Sequence, residues 1–161
     1  MVQALQIASL VLVAIAWALA FTHAAEYPGK MRLDRDAYLT VQGIYYPGFT
    51  FGGAAEPLSI LALIALLVLA PLEGAVFWLT ALALLAAVIT HVIFWFVTQP
   101  VNRIWVKGQN LGKTAEKFFS PDGPAASGDW TKLRDRWESS HLARAALMSV
   151  ALVALIVAVT L

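Results

Sequence analysis

From Ala75 to Val97 the chain carries no charge, and His91 lies within that stretch. An ionisable side chain two to three turns inside an apolar helix is costly in a bilayer and as a rule functional. Helical spacing puts Trp95, Thr98, Asn102 and Trp105 on the same face as His91, so a polar and aromatic stripe descends from mid-helix towards water. Two more histidines have comparable company. His23 precedes Glu26 and Tyr27 at i+3 and i+4, and His141 follows Arg134 and Trp137 and precedes Arg144 on one face of the last helix. Glu56, just ahead of Pro57, is drawn towards the hydrocarbon edge by the shortness of the apolar run behind it.

Imidazoles in such places suit two chemistries. In the first, His91 or His141 acts as general base on an acidic C–H, with His23 and Glu26 as further catalytic candidates. Asn102, Arg134 and Arg144 would then hold the oxyanion. Trp95, Thr98, Trp137, Glu56, Gln42 and Tyr45 would line the substrate pocket. In the second, His91 and His141 are axial ligands of a b-type haem whose propionates meet Arg134, Arg144 or Arg103. With no cysteine in the chain, disulfides, thiolate metal sites, cysteine nucleophiles and covalent c-type haem are all excluded. No metal other than haem iron is expected, because regular helices place His91 roughly 10 Å deeper than His23 and His141.

Composition dictates the scaffold that holds these groups. Of 161 residues 60% are hydrophobic and 13% charged, with a mean hydropathy of +0.74, which is too apolar for a soluble domain of this length. About 20 apolar residues cross a ~30 Å hydrocarbon core. Four such runs predict an all-α, four-helix membrane bundle forming one domain, with spans at about 3–25, 57–72, 75–99 and 141–161. Connections fall at about 26–56 and 100–140. Pro28-Gly29 is expected to end the first helix, and Asp34 to cap a short amphipathic helix whose Tyr38, Val41, Gln42 and Tyr45 share a face at the membrane interface. The run between Pro57 and Pro71 is short, roughly 22 Å if straight. A solvent loop with a turn or two of helix around Lys113 to Phe119 leads to Asp129, the expected cap of a last helix that begins outside the membrane.

Four alternating spans put both long connections on one side, and all 11 lysines and arginines fall there, against Glu73 alone on the other. The positive-inside rule then predicts a cytoplasmic loop side with both termini outside, in a bacterial inner membrane. All three histidines lie in the loop-side half. The basic loops serve topology and anionic lipid rather than nucleic acid. Alanine in every span leaves self-association open.

Trp130-x-x-Leu133-Arg134-x-Arg136-Trp137-Glu138-x-x-His141-x-x-Arg144, with Pro100-x-Asn102-Arg103 before it, resembles the signature of the anthrone oxygenase-like family of small four-helix membrane proteins. The family pattern Asn-x-Pro-x-Asn has Thr98 at its first position here. The resemblance implies oxidation by O2 of an activated methylene in a lipophilic aromatic substrate, with no cofactor beyond O2 as co-substrate. Two function classes therefore stand: an oxidoreductase acting on a lipophilic substrate, with a haem electron-transfer protein as its chemical rival, and a non-enzymatic membrane subunit or carrier whose histidines organise packing.

Overall fold

A computed structural model describes residues 2–105 and 129–161. The expected helix around Lys113 to Phe119 and the loop lysines Lys107, Lys113 and Lys117 lie outside the described residues. The described elements are all helices, joined by short turns, in the order α1 (Val2–Lys30), α2 (Arg35–Ile44), α3 (Gly48–Gly52), α4 (Ala55–Leu69), α5 (Gly74–Ile93), a π-helical segment (Phe94–Thr98), α6 (Gln99–Trp105) and α7 (Trp130–Thr160). Four stretches are long and apolar enough to cross a membrane: Val2–Lys30, Gly48–Leu69, Gly74–Trp105 and Trp130–Thr160. The chain is a four-helix bundle of the integral membrane class. Around the bundle α1 neighbours α4 and α7, and α5 neighbours the same two.

Three departures from the sequence expectation shape the functional end. First, α1 does not stop at Pro28-Gly29 but runs to Lys30. Proline interrupts a helix by withholding one N–H, yet the next turn holds, because the buried Lys30 ammonium lies 3.1 Å from Glu138 of α7 and 3.7 Å from Glu26 one turn back. Second, the short span is lengthened by α3, which joins α4 in one 22-residue apolar stretch. Gly52 permits this, since a Cβ there would lie 2.9 Å from Leu19 Cδ1 of α1.

Third, the central helix changes pitch at its functional end. Pro100 has no N–H to offer the Phe96 carbonyl, and its ring would clash with that carbonyl in a regular helix. The chain instead opens a π turn over Phe94–Thr98, closed by Gln99 N–H to the Phe94 carbonyl, and the Phe96 carbonyl accepts from Arg136 Nη2 at 3.0 Å. The extra residue rotates the remainder of the helix. Thr98 and Trp105 turn inward and are buried, whereas Trp95 is left 43% exposed.

Asp34 caps α2 as expected, its carboxylate accepting from Ala37 N–H at 2.9 Å. Tyr38 of α2 is fully buried against Trp105 and Trp130. At the other end Gly74 adopts a left-handed φ of 54°, open to glycine without strain, and lets the Ala70–Glu73 turn enter α5.

Candidate functional site

The loop-side ends of the four spanning stretches enclose a cavity of about 340 Å³. It has a largely apolar, aromatic wall with polar groups set into it, at the lower end of the ~300–1,000 Å³ range of ligand pockets. Each helix contributes at a fixed depth: α1 gives His23, α4 Glu56, the α5-to-α6 stretch His91, Trp95, Thr98 and Asn102, and α7 Trp137, His141 and Arg144. From the connection, α2 adds Gln42 and the residues after it add Tyr45 and Phe49.

Glu56 is the hub. It occupies the first turn of α4, where the free N–H groups of a helix start favour a carboxylate. Its Oε1 lies 2.9 Å from His91 Nδ1 and its Oε2 accepts from Arg144 Nη2 at 2.7 Å, so three helices meet on one buried carboxylate. Donor chemistry fixes the ring protons. Indole N–H can only donate, so the 3.0 Å bond from Trp95 Nε1 makes His91 Nε2 an acceptor. His91 therefore carries its proton on Nδ1, towards Glu56. By the same reasoning Arg144 Nη1, 3.4 Å from His141 Nδ1, makes that nitrogen the acceptor and leaves the N–H of His141 on Nε2.

His23 and His141 stand ring against ring, with centroids 4.2 Å apart, in an aromatic box whose other walls are Trp137, Tyr45 and Phe49. Asn102 holds Trp137 in place, accepting from its Nε1 at 2.7 Å. Thr98 and Ser140 share a 2.9 Å bond across the contact between the π segment and α7. Among the described residues, four buried polar atoms of cavity-lining side chains have no hydrogen-bond partner: His23 Nδ1, Gln42 Nε2, His141 Nε2 and Arg144 Nε. Buried polar groups are nearly always satisfied. Four such exceptions sit together on residues of one cavity wall.

Three expected site residues fall elsewhere. Arg134 turns away from the cavity, bonded to Asp135 at 2.8 Å and stacked over Trp130. Glu26 does not line the cavity but supports it, accepting from the Tyr45 hydroxyl and lying 3.7 Å from His23 Nδ1. Arg103 is exposed. Residues that spacing did not single out include Phe49, inside a Gly- and Pro-rich stretch that reads as a turn, and Lys30, which pairs with Glu138. Glu138 shares a helical stripe with His141 and Arg144, yet it faces α2, where the Tyr38 hydroxyl donates to it at 2.7 Å. Burial, and then the bond to a carboxylate, push both the Tyr38 and Tyr45 phenols well above the ordinary tyrosine range. Both remain protonated donors.

In the structure the expected haem ligands are otherwise engaged: His91 bonds Glu56 through Nδ1 and Trp95 through Nε2, and the His141 ring packs against His23 and Trp137 at centroid distances of 4.2 and 4.0 Å. Of the expected propionate partners, Arg134 is engaged by Asp135 and Arg144 by Glu56, whereas Arg103 is exposed. Among the described residues no group of three or more histidine or carboxylate side chains could hold a metal ion. No protein-family model, curated protein or solved structure matches the chain.

Proposed function

We propose that the protein is a membrane-embedded oxidoreductase of the anthrone oxygenase-like kind, using O2 on a lipophilic carbonyl compound with an acidic C–H. One observation carries the reading: a carboxylate-oriented imidazole, Glu56–His91, whose Nε2 is capped only by the Trp95 indole, on the wall of a largely apolar cavity that His141 and Arg144 also line. A carboxylate on Nδ1–H fixes the tautomer and orientation of a histidine base. His91 Nε2 takes the C–H proton, and the charge that develops on the substrate oxygen is met by the His141 and Arg144 donors. The resulting enolate gives its electrons to O2. Return of the proton yields a hydroperoxide, and loss of water leaves the new carbonyl, so each methylene consumed takes one O2 and releases one water. Low polarity favours the chemistry, since fixed dipoles act strongly where water is excluded.

Membrane and orientation enter the same proposal. We assign the cavity end to the cytoplasmic leaflet of a bacterial inner membrane, from the gathering of all 11 lysines and arginines on the loop side.

The test is oxygen uptake and quinone absorbance for anthrone presented to the protein in vesicles. The expected result is turnover without added cofactor that falls about 10²–10⁴-fold in His91→Ala, the usual worth of a positioned base. Turnover unchanged in His91→Ala, or no oxygen uptake above that of empty vesicles by well-folded protein, would sink the reading.

A further inference from the structure

We infer that the cavity fills sideways from the lipid, through a portal between the start of α4 and the π segment, and that Trp95 is its gate. The inference rests on the reading of the cavity as a site for a lipophilic molecule, and it names the route and the residue that controls it.

Among the described residues, the end of the bundle facing the loops carries a packed aromatic layer beside the cavity. Tyr38, Val101, Trp105 and Trp137 form a second buried cluster there; α2 is tied to α7 by the Tyr38–Glu138 bond of 2.7 Å, and α1 to α7 by the Lys30–Glu138 pair of 3.1 Å. The lateral side is different. Ala54 and Pro57 at the start of α4 and Trp95 of the π segment line the cavity and are also exposed on the outer face. The surrounding exposed side chains are Phe51, Leu58, Val92 and Phe96, apolar and at the level of the spanning stretches. An apolar rim leading to polar groups suits a solute dissolved in hydrocarbon rather than in water.

Trp95 joins rim and chemistry. It is 43% exposed, and its indole N–H caps the His91 Nε2 lone pair at 3.0 Å. A molecule that is to reach that lone pair must displace the indole. The π turn leaves room for this, because Trp95 sits on a stretch without regular α-helical bonding and has an open outer side. Trp95 is thus a gating residue, holding the base capped until a lipid-borne molecule replaces it.

Two measurements on the full chain in vesicles test this without any turnover. Lipids brominated along the acyl chain should quench the fluorescence difference between wild type and Trp95→Phe, whereas a water-soluble quencher should not. An apolar aryl diazirine dissolved in the bilayer should label cavity residues such as Trp137, several-fold more in Trp95→Ala than in wild type, while a membrane-impermeant, sulfonated aryl azide should leave them unlabelled. Labelling of the cavity by the sulfonated probe, or equal diazirine labelling in wild type and Trp95→Ala, would overturn the gate. If the diazirine pattern holds but no oxygen is consumed, the portal stands and the oxygenase reading fails. Oxygen uptake with labelling only from water reverses that outcome.

Discussion

At the turn end of the bundle the four helices meet through Val13, Leu63, Ala83, Ala87, Met148 and Ala151, all fully buried. At the loop end the same four helices present His23, Glu56, His91 and Arg144 to one another and enclose a cavity. Lipid gives no hydrophobic drive for helices to associate, so the turn end holds by close backbone approach over alanines and by dispersion. The loop end cannot close that way. Its large rings keep the helices apart, and hydrogen bonds to one carboxylate draw them together. Cohesion at one end comes from shape and at the other from polar pairing, and only the second leaves space for a ligand.

The comparison breaks most visibly at Glu56. Glu56→Ala removes the shared partner of His91 and Arg144 and leaves a buried guanidinium uncompensated. Such a loss typically costs about 3–5 kcal/mol, read as a drop in unfolding free energy in mild detergent. Converting the whole set to apolar residues, Glu56→Leu with His91→Leu and Arg144→Met, should recover most of that stability with no recovery of oxygen uptake. If Glu56→Ala alone unfolds like wild type, polar pairing does not hold the loop end.

A smaller contrast sharpens the same point. Ala151 and Ala20 are both buried alanines, but Ala151 belongs to the closed core and Ala20 lines the cavity. Ala151→Leu should cost about 1–3 kcal/mol by overpacking. Ala20→Leu grows into open space, so it should destabilise less and instead block ligand binding, measured by anthraquinone quenching of tryptophan emission. Equal destabilisation at the two positions would mean that the cavity is not open space in the folded protein.

The turn end was legible in the sequence because it depends only on hydropathy and alanine content, and so were the four spans and the capping of α2 by Asp34. The stripe from His91 to Trp105 was legible because helical period places it on one face, and its members do line the cavity. What periodicity cannot carry is long-range pairing. Glu56 is as readily read as a cap at the start of its helix, and only the fold brings His91 and Arg144 to it. Lys30 counts in sequence as one of the basic loop residues, but α1 continues past Pro28 and buries it. Arg134 falls on the His141 stripe, yet near the start of α7 its neighbour Asp135 captures it. The π turn has a local cause in Pro100, but its consequence, Trp95 facing out while Thr98 faces in, emerges only once the bulge is placed.

The mildest change is expected where α2 docks on the loop end. Tyr38→Phe deletes the donor to Glu138 Oε1, which keeps Lys30 at 3.1 Å, so the cost should stay near the ordinary value of a hydrogen bond, about 1 kcal/mol. Its pH dependence separates this bond from mere packing. The folded phenol titrates above its unfolded value because burial and the Glu138 carboxylate both oppose the phenolate. A group raised in this way lends stability that is present in full below the unfolded value, about 10, and lost as pH rises through the folded one. The stability gap between wild type and Tyr38→Phe should therefore stay constant from about pH 6 to 9 and shrink only above about 10. A gap that stays unchanged above that point as well would show an unshifted phenol, the Tyr38 hydroxyl paired with water instead of Glu138. The loop end would then be held by its buried aromatic rings, as the turn end is held by its alanines, and the contrast between the two ends would narrow to the Glu56 set alone.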